Sequence, residues 1–156
     1  SFYGHTEVVK MLLAKQGVDV NQAMNDGWTP LYAASQEGHS EVVSMLLAKQ
    51  GVDVNKTDDD DCTPLYIASQ KGHAEVVKLL LAHHGYAVFD IDVNQANNDG
   101  DTPLFVASEK GHSEVVSMLL AKQGVKVNKA NNNGWTPLCI AMIKLFFLLF
   151  EQYFHL

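Results

Sequence analysis

The sequence predicts an all-α solenoid, built from helix-turn-helix units with protruding β-hairpin fingers, because three short motifs recur along it at nearly the same period. The motif "TPL" begins at Thr29, Thr63, Thr102 and Thr136, at separations of 34, 39 and 34 residues. The motif "GH" recurs at separations of 34, 34 and 39 residues and "VN" at 34, 39 and 34, so all three share one period with a single five-residue insertion between Leu81 and Val93. A period of this length indicates stacked units, each too small to bury its apolar face alone.

Within one unit, the first helix is predicted to begin at Thr29 and Pro30. The threonine hydroxyl can cap a free amide group, and proline suits the first helical position. The stretch "LYAAS" then supplies small side chains that allow a neighbouring helix to approach closely. Gly38 is predicted to end this helix in a left-handed conformation.

The second helix of the unit is predicted to be amphipathic. Glu41 lies where it can interact with the positive end of the helix dipole. Apolar side chains recur at helical spacing and form a wide buried stripe, consisting of Val42, Val43, Leu46 and Leu47. Gly51 is predicted to end the helix, and "VDVNQAMNDG" then suits an extended finger with a tight turn.

The stretch "DGWTPLYAASQEGHSEVVSMLL" resembles the ankyrin repeat, and the resemblance covers roughly residues 1–141. It implies an ankyrin-repeat α-solenoid with a partial repeat one (1–23), complete repeats two (24–57), three (58–96, with the insertion) and four (97–130), and the start of repeat five (131–141). Residues 142–156 leave the pattern and are expected to form an atypical hydrophobic C-terminal helix or to be a misread tail. Because residue 1 falls inside a repeat, we expect the chain to be a fragment of a longer tandem ankyrin-repeat protein.

Two positions depart from the family pattern. The family usually has a histidine after "TPL" that hydrogen-bonds toward neighbouring units, whereas this chain has Tyr32, Tyr66, Phe105 and Cys139. We therefore expect fewer polar contacts between repeats and more apolar packing. In repeat three, Asp61 replaces the glycine of the finger turn, and we expect this finger to be the loosest because a left-handed non-glycine residue is strained.

Composition and charge argue against several classes of protein. Hydrophobic residues make up 47% and charged residues 19% of the 156 residues, which is typical of a folded globular domain. The 11 basic and 18 acidic side chains leave a net charge of −7, which disfavours nucleic-acid binding and favours a basic partner. The N-terminus shows no signal-peptide pattern, although a fragment need not carry one, and we expect an intracellular, cytoplasmic location.

No metal site or cofactor is predicted. Four histidines occupy the same repeat position and would form a ladder spaced too widely for the ligands of one zinc ion: His5, His39, His73 and His112. The pair His83 and His84 lies in the insertion region, where a metal site would need further ligands; Asp90 and Asp92 are candidates, but nothing fixes their geometry. The aspartate run 58–61 is too contiguous for a calcium loop, so it is better explained as a solvated finger tip or as a contact with a basic partner.

Catalysis has no support in the sequence, and we predict that the chain is not an enzyme. Ser35, Ser69 and Ser108 recur at one repeat position beside alanines and are explained by packing. No nucleotide-type glycine loop or paired carboxylate stands apart from the repeat. Cys62 and Cys139 lie two units apart, beyond the reach of a disulfide bond, and should be free thiols.

The segment "CIAMIKLFFLLFEQYFHL" is the most unusual in the chain, because its apolar run 145–150 stands where polar residues and "GH" are expected. Three interpretations remain open: a helix packing on repeat four, truncated or misread coding sequence, or an anchor for a membrane or a partner. The 13 residues 138–150 are too few to span a bilayer, which argues against a membrane role. Each interpretation leaves an apolar end at which the chain could self-associate.

The resemblance to ankyrin repeats also implies a concave binding face formed by the fingers and the first helices. Its finger positions are Asn25, Asp26, Trp28, Asp59, Asp60, Cys62, Asn98, Asp99, Asp101, Asn132, Asn133 and Trp135, and its first-helix positions are Gln36, Glu37, Gln70, Lys71, Glu109 and Lys110. Seven of these residues are acidic and two are basic, so the face should bind a protein partner through a basic segment. Trp28 and Trp135 would be aromatic anchors at its two ends.

Two other roles remain open. Repeats two and four share "GHSEVVSMLLAKQG", and such near-identity is also typical of a structural spacer within a longer array. The asparagines of "DVN" resemble ankyrin asparagines that asparaginyl hydroxylases modify, and in this chain they are Asn21, Asn55 and Asn94. The insertion disturbs the leucine spacing before Asn94.

Overall fold

The computed structural model describes residues 2–83 and 90–154, in which all regular secondary structure is helical. The helices are α1 (Phe2–Leu13), α2 (Pro30–Gln36), α3 (Ser40–Leu47), α4 (Pro64–Lys71), α5 (Ala74–Ala82), α6 (Pro103–Lys110), α7 (Ser113–Ala121) and α8 (Pro137–Phe154). The first helices α2, α4, α6 and α8 pack side by side in one row. The second helices α1, α3, α5 and α7 form a parallel row, so the predicted all-α solenoid is confirmed.

The predicted starts and ends of the first helices are confirmed. Thr29, Thr63 and Thr102 each accept a hydrogen bond through Oγ1 from a backbone N–H three residues later, at 3.1 Å. Gly38 has the predicted left-handed backbone, with a φ angle of 72°. The same glycine recurs in repeats three and four, so the chain reverses in the same way after each first helix.

A single apolar core runs along the stack between the two rows of helices. First helices contribute Leu31, Leu65 and Leu104, each 3% exposed or less, and second helices contribute Leu46, Leu80 and Leu119, each 2% exposed or less. Neighbouring repeats therefore share one core, which explains why each unit alone would be too small to fold.

The fingers are present, but none of their described residues forms a β-strand. Each finger is closed by one backbone hydrogen bond of 3.0–3.1 Å between residues four apart, such as the bond from the N–H of Asn97 to the carbonyl oxygen of Asp101. Asp61 has a φ angle of 59° and is the one non-glycine residue with a left-handed backbone in the described part of the chain. The strain predicted for this finger therefore has a structural basis, whereas its looseness stays a prediction.

Helix α8 runs through position 141, where the repeat pattern ends, without a break. Ile140 is buried against the stack, and Nζ of Lys144 lies 3.2 Å from Oε1 of Glu109 on α6. The side chains of the apolar run 145–150 are 45–64% exposed, so this run is much less covered by the stack than Ile140 is. Within the described residues, no helix combines the length and the apolar character needed to cross a membrane.

The serines that follow the alanines of the first helices differ in their hydrogen bonds. Oγ of Ser108 donates to the carbonyl oxygen of Leu104 at 2.7 Å. Oγ of Ser35 and of Ser69 is buried and has no hydrogen-bond partner among the described residues. A buried hydroxyl without a partner loses its hydration without compensation.

We therefore predict that Ser35→Ala and Ser69→Ala each raise the free energy of unfolding by about 1 kcal/mol, because each removes an unpaired buried hydroxyl. Urea unfolding followed by circular dichroism checks this. Ser108→Ala is the matched control, and it should lower the free energy of unfolding because it removes a hydrogen bond. A loss of stability in all three variants would contradict the prediction.

Candidate functional site

Each finger of repeats three, four and five is organised by the side chain of its first residue. Oδ1 of Asn97 accepts hydrogen bonds from the N–H groups of Asp99, at 3.1 Å, and Asp101, at 2.9 Å. Asp58 and Asn131 make the corresponding bonds in their own fingers. These residues were missed as finger-shaping residues, although an Asp or Asn at the start of a turn is a recognisable signal.

Neighbouring fingers are joined through their backbones. The N–H of Asp59 donates to the carbonyl oxygen of Asp26 at 3.3 Å, and the N–H of Asn98 donates to the carbonyl oxygen of Asp60 at 3.0 Å. The N–H of Asn132 makes the equivalent 3.0 Å bond to Asp99. These bonds hold the acidic tips of successive fingers at a fixed spacing.

The structure distributes the eighteen sequence-predicted binding residues over three classes of exposure. Exposed are Asn25, Asp26, Glu37, Asp59, Asp60, Lys71, Asn98, Asp99, Lys110, Asn132, Asn133 and Trp135. Half-buried are Trp28, Gln36, Gln70, Asp101 and Glu109, and Cys62 is buried. Most of the predicted face is therefore accessible to a partner.

Cys62 is 8% exposed and lies in a small apolar cluster with Tyr32, Tyr66, Ile67 and Val106. Burial, together with the nearby Asp58 carboxylate, raises the pKa of the Cys62 thiol to about 12, so the thiol stays protonated at neutral pH. We therefore leave Cys62 out of the proposed binding face. Cys62 and Cys139 are both unpaired, as predicted.

Trp28 packs partly against the same cluster, and its ring centroid lies 5.3 Å from that of Tyr32. Trp135 occupies the equivalent position in repeat five and is 38% exposed. The two tryptophans therefore differ, because Trp28 contributes to packing and leaves only part of its ring accessible.

A polar contact between repeats is present at one position where the usual histidine is replaced, whereas the expectation that such contacts are fewer than is usual in the family stays a prediction. The hydroxyl of Tyr66, which replaces the usual histidine, accepts a hydrogen bond from Nδ2 of Asn97 in the next finger at 3.2 Å. Nδ2 of Asn131 donates to Oδ1 of Asp101 at 2.8 Å across the next boundary. The tyrosine thus keeps a lateral polar contact because its hydroxyl reaches the base of the following finger.

Three asparagines of the "VN" motif also join neighbouring repeats. Nδ2 of Asn94 donates to the carbonyl oxygen of Gly124 at 2.9 Å, and its Oδ1 accepts from the N–H of Lys126 at 2.7 Å. Asn21 and Asn55 make the same pair of bonds to the loops that follow α3 and α5. The side-chain amide of each of these asparagines therefore links its own repeat to two backbone groups of the following repeat.

The charges of the predicted face are not equally available. Nζ of Lys110 lies 3.2 Å from Oε2 of Glu109, and Nζ of Lys144 lies 3.2 Å from Oε1. Burial acts to raise the pKa of Glu109, but the hydrogen bonds from these two lysines outweigh burial, so the pKa is lowered. Burial raises the pKa of Asp101, against the hydrogen bond from Asn131. The exposed finger carboxylates of repeats two, three and four remain, namely Asp26, Asp59, Asp60, Asp61 and Asp99.

The histidine ladder makes contacts between repeats. Nε2 of His73 donates to the carbonyl oxygen of Gln36 at 2.9 Å, and His112 makes the same bond to Gln70 at 3.0 Å. Across residues 2–83 and 90–154, no group of three His, Cys, Asp or Glu side chains is placed to hold a metal ion. His84, one of the loop histidines considered above, lies outside the described residues.

Comparison with known families agrees with this architecture. A family model for ankyrin repeats in three copies matches residues 1–94 and 86–151. The second match extends past position 141, where the resemblance in the sequence ends, and includes most of α8. No curated protein matches the chain.

Proposed function

The chain belongs to the ankyrin repeat family, whose members are generally protein–protein interaction modules and typically non-catalytic, and we propose that it binds a protein partner through a basic segment. The binding face consists of the exposed finger tips and first-helix ends, and we call it the acidic face. Its centre is formed by Asp59 and Asp60 of repeat three, with Asp26 and Asp99 on either side.

The observation that carries the proposal is the row of exposed carboxylates on three consecutive fingers. The backbone bonds between fingers fix the spacing of Asp26, Asp60 and Asp99, so these charges need little further ordering when a partner binds. A fixed row of like charges attracts an oppositely charged segment and speeds its association. Repeat five carries Asn132 and Asn133 instead, so the negative charge ends before the last finger.

The tryptophans suggest what flanks the basic segment. Trp135 is 38% exposed beside the uncharged finger of repeat five, and part of Trp28 is accessible at the opposite end. Aromatic side chains that are accessible in the free protein are frequent anchors in interfaces. We propose that apolar residues at the ends of the partner segment contact these rings.

The proposal is tested by comparing the binding of two peptides: a lysine-rich peptide flanked by leucines and a glutamate-rich peptide of the same pattern. Tryptophan fluorescence reports binding directly. We predict that only the lysine peptide binds and that added salt weakens its binding. Asp60→Lys with Asp99→Lys should reduce affinity about tenfold or more, since each exposed charge pair contributes up to about 1 kcal/mol and reversal adds repulsion.

The matched control is Glu41→Lys with Glu114→Lys, which makes the same change in net charge at exposed positions on second helices. It should leave peptide binding nearly unchanged. The proposal would be contradicted if the affinity for the lysine peptide did not depend on salt concentration. It would also be contradicted if a variant that combines Trp28→Ala, Asp60→Lys and Asp99→Lys still bound the peptide. That result would favour the spacer interpretation instead.

No observation favours the hydroxylase substrate as a second function. The amides of Asn21, Asn55 and Asn94 each engage two backbone groups of the next repeat. An enzyme acting on these side chains would have to separate neighbouring repeats first.

A further inference from the structure

The asparagine side chains of this protein differ in how firmly the structure holds them. Seven of the ten asparagines use the side-chain amide in hydrogen bonds to other residues, and they are Asn21, Asn55, Asn94, Asn97, Asn98, Asn131 and Asn132. The other three, Asn25, Asn128 and Asn133, are exposed and make no side-chain hydrogen bond within the part of the chain that the structure describes. Their amide groups can therefore rotate.

Among these three residues, Asn133 alone precedes a glycine. Asn25 is followed by Asp26 and Asn128 by Lys129, and "NG" occurs once in the sequence. Because glycine has no Cβ atom, its backbone reaches conformations that other residues avoid. The backbone nitrogen of Gly134 can therefore approach Cγ of Asn133 more readily than the nitrogen of a residue that carries a side chain.

The turn that contains this pair is exposed. Asn132, Asn133 and Gly134 all lie at the surface, and none of them belongs to a helix. The N–H of Gly134 donates to the carbonyl oxygen of Asn131 at 2.9 Å. This bond must open before the nitrogen of Gly134 can react, but an exposed turn opens locally at much lower cost than the whole chain unfolds.

We propose that Asn133 is a site of spontaneous deamidation in the folded chain. The nitrogen of Gly134 gives up its proton and forms a bond to Cγ of Asn133, and the side-chain nitrogen takes up a proton and leaves as ammonia. Water then adds to one of the two carbonyl carbons of the resulting five-membered imide and opens the ring. The product at position 133 is an aspartate or its β-linked isomer, and both carry a carboxylate. Water is the co-reactant, and nothing is oxidised or reduced.

This reaction changes the charge of the one finger whose tip lacks a carboxylate. The residues equivalent to Asn133 in repeats two, three and four are Asp26, Asp60 and Asp99. Deamidation gives the fifth finger the same charge and makes the net charge of −7 more negative by one unit. The row of carboxylates then continues to the finger that carries Trp135.

Mass spectrometry of the folded chain tests the proposal. After incubation at mildly alkaline pH, the fragment that contains Asn133 should gain the mass difference between an oxygen atom and an NH group. In water enriched in heavy oxygen, the same fragment should retain one heavy oxygen atom. The proposal is wrong if Asn133 keeps its amide, or if the amide is lost only after urea has unfolded the chain.

Gly134→Asp is the matched variant, because Asp61 already occupies the equivalent position of finger three with a φ angle of 59°. The finger turn can therefore form without the glycine, whereas the added side chain hinders attack by the backbone nitrogen. Asn133 should keep its amide in this variant under the same conditions. Asn25 and Asn128 are internal controls in the unmodified sequence, and equal loss of amide at all three asparagines would overturn the role of Gly134.

The effect of deamidation on partner binding rests on the proposed function. Asn133→Asp should raise the affinity for the lysine-rich peptide by up to about fivefold, which is the contribution of one exposed ion pair. Asn128→Asp adds the same charge outside the fingers and should leave the affinity unchanged. If the affinity of Asn133→Asp does not rise, the peptide does not reach the fifth finger and the proposed effect on binding is wrong. A chain that loses the amide of Asn133 but binds no peptide would contradict the acidic face and still establish the modification site.

Discussion

Replacing Gly38 by alanine is expected to lower the free energy of unfolding by about 3 kcal/mol, as the sum of backbone strain and steric overlap. Gly38 has a φ angle of 72°, and a Cβ atom there would lie 2.7 Å from Nδ1 of His73 in the next repeat. The ring cannot easily move away, because its Nε2 donates to the carbonyl oxygen of Gln36 at 2.9 Å. Guanidinium unfolding followed by circular dichroism measures the loss.

Gly111 supplies the matched control for this prediction. It ends α6 with nearly the same φ angle, 74°, but no described atom lies within 4 Å of a Cβ built there. Gly111→Ala should therefore lose only the backbone contribution, about 1–2 kcal/mol. Equal losses in the two variants would show that contact with His73 contributes nothing.

The sequence predicted the helices well because their signals are local. The threonine before proline, the apolar stripe of the second helix and Gly38 act within a few residues of each other, and one repeat is enough to recognise them. Gly38 was assigned its left-handed backbone for this reason. Gly38 also leaves room for the ring of His73, and this role was not predicted. Periodicity identifies which residues are equivalent in successive repeats, but it does not identify which residues of adjacent repeats are in contact.

Contacts between repeats were the weakest part of the sequence prediction, for the same reason. The loss of the usual histidine predicted fewer lateral polar contacts, but it did not predict the particular hydrogen bond that the Tyr66 hydroxyl accepts from Asn97. Cys62 was placed on the binding face because it occupies a finger position, and it is buried because it packs in an apolar cluster with Tyr32 and Tyr66. Both contacts depend on how far a side chain extends toward the neighbouring repeat, and a repeat pattern gives no information about that distance.

Helix α8 shows a further limit of the sequence. The apolar composition of α8 marked this segment as unusual in the sequence. An uninterrupted helix could also be expected there, because no glycine occurs within it. The exposure of Leu138 was not predictable from its own surroundings, since "TPL" has the same local chemistry in every repeat. Leu138 is 71% exposed and Leu104 is 3% exposed, because a second helix covers Leu104.

The second large effect is expected at the boundary between repeats three and four. Asn94→Ala removes the hydrogen bonds to Gly124 and Lys126, at 2.9 and 2.7 Å, and should lower the free energy of unfolding by about 2 kcal/mol, at about 1 kcal/mol per bond. In a linear array, stability is a sum of repeat terms and boundary terms, and this change weakens a boundary term. Urea unfolding should therefore also become less steep, because the two sides of the boundary unfold more independently.

Asn128 separates this boundary effect from any loss caused by the substitution itself. It is the equivalent asparagine of repeat four, is exposed, and makes no hydrogen bond within the described part of the chain. Asn128→Ala should therefore change neither the midpoint nor the steepness of unfolding. If Asn94→Ala lowers the midpoint but leaves the steepness unchanged, its bonds stabilise repeat three alone and do not couple it to repeat four. If Asn128→Ala is as damaging as Asn94→Ala, the two bonds across the boundary do not account for the loss.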